Sequence, residues 1–247
     1  MRFILEIATS DYMTTRWAVE GGADRIELCA NLKEGGTTAS YGTIRKCRED
    51  FAVLLYPIIR PRGGDFLYTD EEFDIMLQDI RQCRELGCDG IVTGLLKADG
   101  TIDLERTEKL ARAAYPLEMT FHRAFDRCRD PFEALEQLAG IGCERILTSG
   151  QQPLVTDGVD LVAELNQKSD GRIIIMPGSG VRKDNIRSLA EKTGCREFHS
   201  SLRDQRPSPM HFIHPAFSDS AESYSNNAIR PEEVRALREA LKQNEPA

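Results

Sequence analysis

Histidines, arginines and hydroxyls close a series of short apolar runs in this chain. Arg60 and Arg62 follow the run 53–59, and His122 and Arg123 follow 117–121. Thr148 and Ser149 follow 145–147, and His199 and Ser200 close 195–198. Imidazoles exchange protons near neutral pH, and guanidiniums grip carboxylate or phosphate in a planar fork. Such residues at strand ends, each before a helix-like stretch, mark the rim of a parallel barrel, where barrel enzymes do their chemistry.

Side-chain parity sharpens the selection. Successive strand residues face opposite sides, so Leu5, Ile7, Ile26, Leu28, Met119, Phe121 and Phe198 form one apolar set that belongs under helices. Glu6, Glu27, Thr120, His122, Glu197 and His199 form the opposite set and face inward. Burying ionisable groups is costly unless they pair with each other or with a ligand. Glu6 or Glu27 is thus a candidate general base, His122 a candidate acid or electrophile, and Asp126 on the same rim a further catalytic carboxylate. The plain alternative is a self-satisfied network of carboxylates and arginines that needs no ligand.

Two segments look built for anions. Arg60-Pro-Arg62-Gly-Gly offers two guanidiniums and a sharp turn, and Arg123 stands at the neighbouring rim. Gly178-Ser179-Gly180 follows the seventh strand run, where barrels often bind phosphate with backbone N–H groups. The competing readings are a rim salt bridge from the arginines to Asp65, Glu34 or Asp126, and an ordinary tight turn.

Elements that would position these residues are legible. Strands are expected over 3–8, 25–29, 53–59, 90–94, 117–122, 145–149, 172–176 and 196–199, with helices of 3.6-residue apolar spacing between them. A signature recurs at the helix-to-strand joints: Gly22-Ala-Asp-Arg-Ile, Gly87-Cys-Asp-Gly-Ile, Gly142-Cys-Glu-Arg-Ile and Gly194-Cys-Arg-Glu-Phe. Glycine ends each helix, and a charge leads into the next strand. Eight strand–helix units predict a single-domain TIM (β/α)8 barrel over 1–247. An open doubly wound sheet is the runner-up, disfavoured because no GxGxxG follows the first strand. Residues 200–230, with a Ser-rich stretch over 218–225, read as a long loop over one face, and 231–243 as a C-terminal helix.

Composition narrows the function classes. The 247 residues carry a net charge of −8, which argues against nucleic acid or anionic membrane as partner. No apolar stretch reaches bilayer length, and no secretory signal opens the chain, so a cytoplasmic location is expected. The seven scattered cysteines then read as free thiols. No lysine sits at a strand end for Schiff-base chemistry, no HxH follows the first strand, and GxSxG, CxxC and Met-x-x-Met are missing.

The segments Gly22-Ala-Asp-Arg-Ile-Glu-Leu-Cys29, Glu34-Gly-Gly36, Ile59-Arg-Pro-Arg-Gly-Gly-Asp-Phe66, Thr120-Phe-His-Arg-Ala-Phe-Asp126, Arg145-Ile-Leu-Thr-Ser-Gly150 and Glu197-Phe-His-Ser200 resemble the CutC copper homeostasis family. The resemblance runs along nearly the whole chain. It implies a TIM-type barrel, the cytoplasm and a role in copper homeostasis. Cys29, which belongs to the family motif, would hold Cu(I) with His122 or His199 as partner. Two functions therefore stand side by side. One is a copper-binding homeostasis protein. The other is a barrel isomerase, lyase or hydrolase acting on a small anionic or phosphorylated metabolite. The rim residues are hard and anion-binding, which favours the second on chemical grounds. The partner is a copper ion or a small metabolite accordingly, and a two-fold homodimer is the default assembly.

Overall fold

The chain alternates strand and helix from its first turn. A computed structural model describes residues 2–217 and 224–242. The order is β1 Ile4–Thr9, α1 Tyr12–Glu20, β2 Arg25–Leu28, α2 Tyr41–Asp50, β3 Leu54–Pro57, α3 Asp70–Glu85, β4 Gly90–Thr93 and α4 Leu104–Ala114. It continues with β5 Glu118–Phe121, α5 Pro131–Gly140, β6 Arg145–Thr148, α6 Val159–Ser169, β7 Ile174–Pro177, α7 Ile186–Thr193 and β8 Glu197–Ser200. All of these strands pair in parallel, which gives the (β/α)8 barrel expected from the sequence. Side-chain caps set the helix starts. Asp11, Ser40, Thr69, Asp103 and Asp130 each accept a backbone N–H of the first turn.

The recurring joint signature acquires a precise job. At the end of α3 the Cys88 N–H bonds the Cys83 carbonyl, and the Gly87 N–H bonds that of Arg84, both at 3.0 Å. Gly87 closes this cap at φ +71°, where a side chain would be strained. The acid that follows then reaches across to the preceding strand. Asp24 accepts from Leu5 N at 3.0 Å, Asp89 from Leu55 N at 2.8 Å, and Glu144 from Met119 N at 2.6 Å. The fourth copy has Arg196 at the acid's place and cannot accept such a bond. At that seam, β7 packs beside β8 with no ladder between them among the described residues. The strands thus form two four-stranded arcs, β3-β2-β1-β8 and β4-β5-β6-β7, linked at the other seam by an Ile58–Val92 bridge.

The barrel has two cores. Outside the strands, Leu5, Ile7, Ile26, Leu28, Ile91, Met119, Phe121, Ile146, Ile175 and Phe198 pack against the helices. This apolar layer carries the hydrophobic stabilisation of the fold. Inside, the barrel carries the charged set that parity placed there, beside a small apolar cluster of Cys29, Tyr56, Ile58 and Val92.

The segment after β8 departs from a plain loop. β9 Asp204–Pro207 and β10 Ser225–Ala228 form an antiparallel hairpin. Alternating polar residues there found backbone partners that composition alone did not reveal. Arg206 stacks on Trp17 with its guanidinium carbon 4.5 Å from the ring centre, and Asn227 donates to Ser10, which fixes the hairpin beside α1. Part of the Ser-rich stretch, 218–223, and the end of the chain from 243 lie outside the described residues. The last helix, α8 Pro231–Lys242, buries Val234, Leu237 and Leu241. No helix among the described residues is long and apolar enough to cross a membrane.

Candidate active site

The deep half of the barrel interior is a closed ionic network. Arg25 bonds Glu6 through Nε and Glu197 through Nη2, the latter at 2.6 Å. Arg145 Nε bonds the same Glu197 oxygen at 2.6 Å, and its Nη2 reaches Glu118 at 3.2 Å. Tyr56 donates to Glu118 at 2.7 Å, and both guanidiniums lie over its ring. Burial alone would raise the Glu6 carboxyl, but Arg25 and then His199 overcome this and hold it at about 2. Arg25 and Arg145 share inward parity with Glu27 and Leu147. Sequence reading took them as charges leading into strands, although their parity was available as a signal.

Above this network the barrel opens at the C-terminal strand ends into a cavity of about 440 Å³. Glu27, His122 and His199 line it from β2, the end of β5 and β8. His199 Nδ1 bonds Glu6 Oε1 at 2.7 Å, so Glu6, itself beneath the cavity, orients the imidazole. Burial would lower the His199 pKa, but the Glu27 and Glu6 carboxylates raise it.

Among the described residues, three that line this cavity carry a buried, unpartnered side-chain atom: Glu27 Oε2, His122 Nε2 and Arg60 Nε, the last on a guanidinium whose other nitrogens are bonded. A buried polar atom without a partner is costly, so such atoms in a cavity wall mark where a ligand binds. Burial pushes the Glu27 carboxyl up to about 7, with Glu6 adding and His199 and Arg25 opposing. A carboxyl in that range has the acidity that general-base chemistry near neutral pH requires. His122 is driven the other way, down to about 3, by burial and by Arg60. The Ala124 N–H donates to His122 Nδ1 at 3.2 Å, so the neutral ring carries its proton on Nε2. Phe66 lies 4.8 Å from the imidazole, centre to centre, and a Cβ on Gly94 would stand 2.7 Å from Nδ1. The ring is wedged in one orientation.

The remaining candidates divide. Arg60 lines the cavity, but its guanidinium donates to the carbonyls of Glu34, Gly36 and Gly64 and clamps two loops. Arg62 does not line the cavity. Turned to the rim, it bonds Asp65 and Glu72, because the strand ends at Pro57, with a last bridge at Ile58, and parity no longer applies by Arg62. The paired-arginine anion site is therefore not assembled. Arg123 lines the cavity and is tied to Asp126 and Ser149. Asp126 accepts from Thr148 Oγ1, from Ser149 and from the Gln151 N–H, so both its oxygens are occupied in holding the loop after β6. That engagement speaks against an acid–base role. Ser179 and Gly180 line the cavity, but the Ser179 hydroxyl donates to Pro153. Gly178 is needed for packing: a Cβ there would meet Leu147 at 2.5 Å and His199 at 3.4 Å.

Residues not singled out from the sequence complete the wall. Lys33, Arg127, Arg182 and Arg203 bring its cationic side chains to six, against Glu27, Glu34 and Asp126. Among the described residues only Arg123 of the six is ion-paired. An acidic chain thus holds a locally positive mouth, which attracts small anions. No sequence spacing marks these four, which come from separate loops.

The one cluster able to hold a metal among the described residues is Glu6, Glu27 and His199, whose donor atoms lie within 4.8 Å of one another. Cys29 stands apart. Its thiol donates to the Thr9 carbonyl at 3.2 Å and packs with Tyr56, Ile58 and Val92, and burial raises its pKa. A protonated, buried thiol is a poor ligand. Both Glu6 oxygens are bonded, and two carboxylates with an imidazole are a hard set, unsuited to Cu(I). The residues do not fit a copper(I) centre.

Similarity to known proteins agrees with this architecture. The CutC family model matches residues 3–204. A CutC family protein of Chromobacterium violaceum is 48% identical over 241 residues, covering 96% of this chain and 98% of that one. One from Parabacteroides distasonis is 51% identical over 213 residues, covering 86% and 88%. The crystal structure of CutC from Streptococcus agalactiae, titled there as a candidate copper homeostasis protein, superimposes with a TM-score of 0.77 at 32% identity, covering 81% of this chain and 98% of that one. Phosphoribosylanthranilate isomerase of Thermotoga maritima, at 11% identity and TM-score 0.59, covering 98% and 99%, shares the barrel fold alone. Family model, relatives and fold coincide, and the chain belongs to the CutC family.

Proposed function

We propose that this protein is an enzyme that binds a small anionic metabolite in the barrel mouth and performs acid–base chemistry on it. The observation that carries this reading is that a carboxylate and an imidazole, Glu27 Oε2 and His122 Nε2, are buried and unpartnered, with Arg60 Nε, in one cavity lined by six cations. Glu27 is the base, His122 the neutral donor, and Arg127, Arg182, Arg203 and Lys33 hold the anion, with Ser179 and Gly180 beside them. His199, oriented by Glu6, tunes Glu27. The family name carries copper homeostasis. In this reading that role is indirect, through a metabolite that affects copper tolerance. The seven free, buried cysteines support a reducing, cytoplasmic setting.

The test is thermal unfolding during titration with phosphate, sulfate and citrate at fixed ionic strength. A saturable rise in Tm, reduced in Arg182→Ala and Arg203→Ala, is expected. Curves that match chloride for all three anions defeat the reading. The copper alternative predicts one-to-one Cu(I) binding that Cys29→Ala abolishes in competition with a chelator.

A further inference from the structure

The chemistry available in this cavity is narrower than acid–base catalysis in general. Of its three carboxylates, Asp126 is fully bonded and Glu34 stands at the rim beside Gly63, so Glu27 is the inward-facing carboxylate with a free oxygen. Two cooperating carboxylates, as glycoside hydrolysis needs, are not assembled. Among the described residues no cysteine lines the cavity, and Cys29, two residues after Glu27, keeps its thiol on the Thr9 carbonyl and gives no nucleophile. What remains is one base and one neutral donor. β2 and β5 belong to different arcs of the barrel, so Glu27 and His122 approach the cavity from separate sides. A small molecule between them would present a C–H to one and an oxygen to the other.

Resting on the reading above, we propose that the site enolises a carbonyl compound that bears a phosphate or carboxylate, with Glu27 as the base and the His122 Nε2–H as the electrophile. Glu27 takes the proton from the carbon next to the carbonyl. The C–H electron pair becomes the new C=C bond, and the carbonyl π pair moves to oxygen. The enolate oxygen accepts a hydrogen bond from His122, which keeps its own proton. Protonated Glu27 returns the proton to the same carbon, or, where that carbon bears a hydroxyl whose proton passes to the enediolate oxygen, to the former carbonyl carbon, so that no co-reactant is consumed. A neutral imidazole suits this task. Its N–H is fixed by the Ala124 amide on Nδ1, and the ring is held by Phe66. The donor therefore points at the developing oxyanion without reorganisation.

The experiment compares two probes by calorimetry on the full chain. Phosphoglycolohydroxamate is a planar mimic of an enediolate. Glycerol 1-phosphate carries the same anion without the planar oxyanion. The hydroxamate is expected to bind at least about tenfold tighter than glycerol 1-phosphate, and His122→Gln to erase that margin. Equal affinities overturn enolisation and leave the anion-binding reading standing. Binding of neither probe overturns both. A margin that survives His122→Gln removes His122 from the role. A second measurement needs no variant. Nitrogen-15 shifts of His122 should report the neutral Nε2–H tautomer from pH 8 down to pH 5, and a doubly protonated ring at pH 5 overturns the assignment.

Discussion

Two layers of one barrel interior handle buried charge in opposite ways. In the deep layer, Glu6, Arg25, Glu197, Arg145, Glu118 and Tyr56 satisfy one another. In the mouth, Glu27 and His122 each keep an atom without a partner. The two layers share inward parity on common strands: Glu27 stands two residues after Arg25 on β2, and His122 four residues after Glu118 at the end of β5. The closed layer behaves as structure: its charges have fixed, opposed neighbours, and removing one leaves the rest exposed to a low dielectric. The open layer behaves as a site: its groups are held in orientation yet left unsatisfied, which costs stability and prepares a ligand contact. Ionisable residues inside a barrel thus signal function only where the network fails to close.

The sharpest way to break this comparison is Arg25→Met. It takes the shared guanidinium from two buried carboxylates, leaving Glu6 with His199 alone and Glu197 with Arg145 alone, and a loss of about 3–5 kcal/mol is expected in urea unfolding at pH 7. A loss below about 1 kcal/mol would mean that the deep layer is not a structural unit. Glu27→Gln is the opposite case. The fold should persist with stability at pH 8 unchanged or improved, because the replaced group is a buried carboxylate without full partners.

The pH dependence of stability tests the two mouth residues together. Glu27 is raised from 4.5 to about 7, facing His199, Glu6 and Arg25. Its contribution is therefore full below pH 4.5 and is lost as pH rises through 7. His122 is lowered from 6.5 to about 3, facing Arg60. Its contribution is full above pH 6.5 and is lost as pH falls toward 3. Glu27→Gln should flatten the decline in Tm between about pH 4.5 and 7, and His122→Gln the fall in Tm as pH drops from about 6.5 toward 3. Identical pH profiles for wild type and both variants would place these groups in solvent.

Smaller effects calibrate the frame around the site. Glu144→Ala removes the acceptor for Met119 N and should cost about 1–3 kcal/mol in chemical denaturation. Arg62→Ala, whose side chain is 37% exposed, should change stability by under about 1 kcal/mol and leave anion binding intact. A clear loss of anion affinity in that variant would return Arg62 to the mouth.

The order of strands and helices was legible because apolar period, caps and glycine stops agree at each joint, as at Thr69, Gly87 and Asp89. The inward set was also legible: parity alone put Glu6, Glu27, His122, Glu197 and His199 inside, and all five are buried. Parity failed where strand geometry ends, and Arg62 left the mouth for that reason. It was also underused at Arg25 and Arg145, whose place at the strand entrance hid an inward direction. Sequence by itself determined which residues turn inward, since a period of two is a local property of the chain. Only the tertiary structure decided which of them remain unsatisfied. Glu6 is quenched because β1 and β2 pair with Glu6 opposite Arg25, while Glu27, two residues on, keeps a free oxygen, and no local spacing encodes that register.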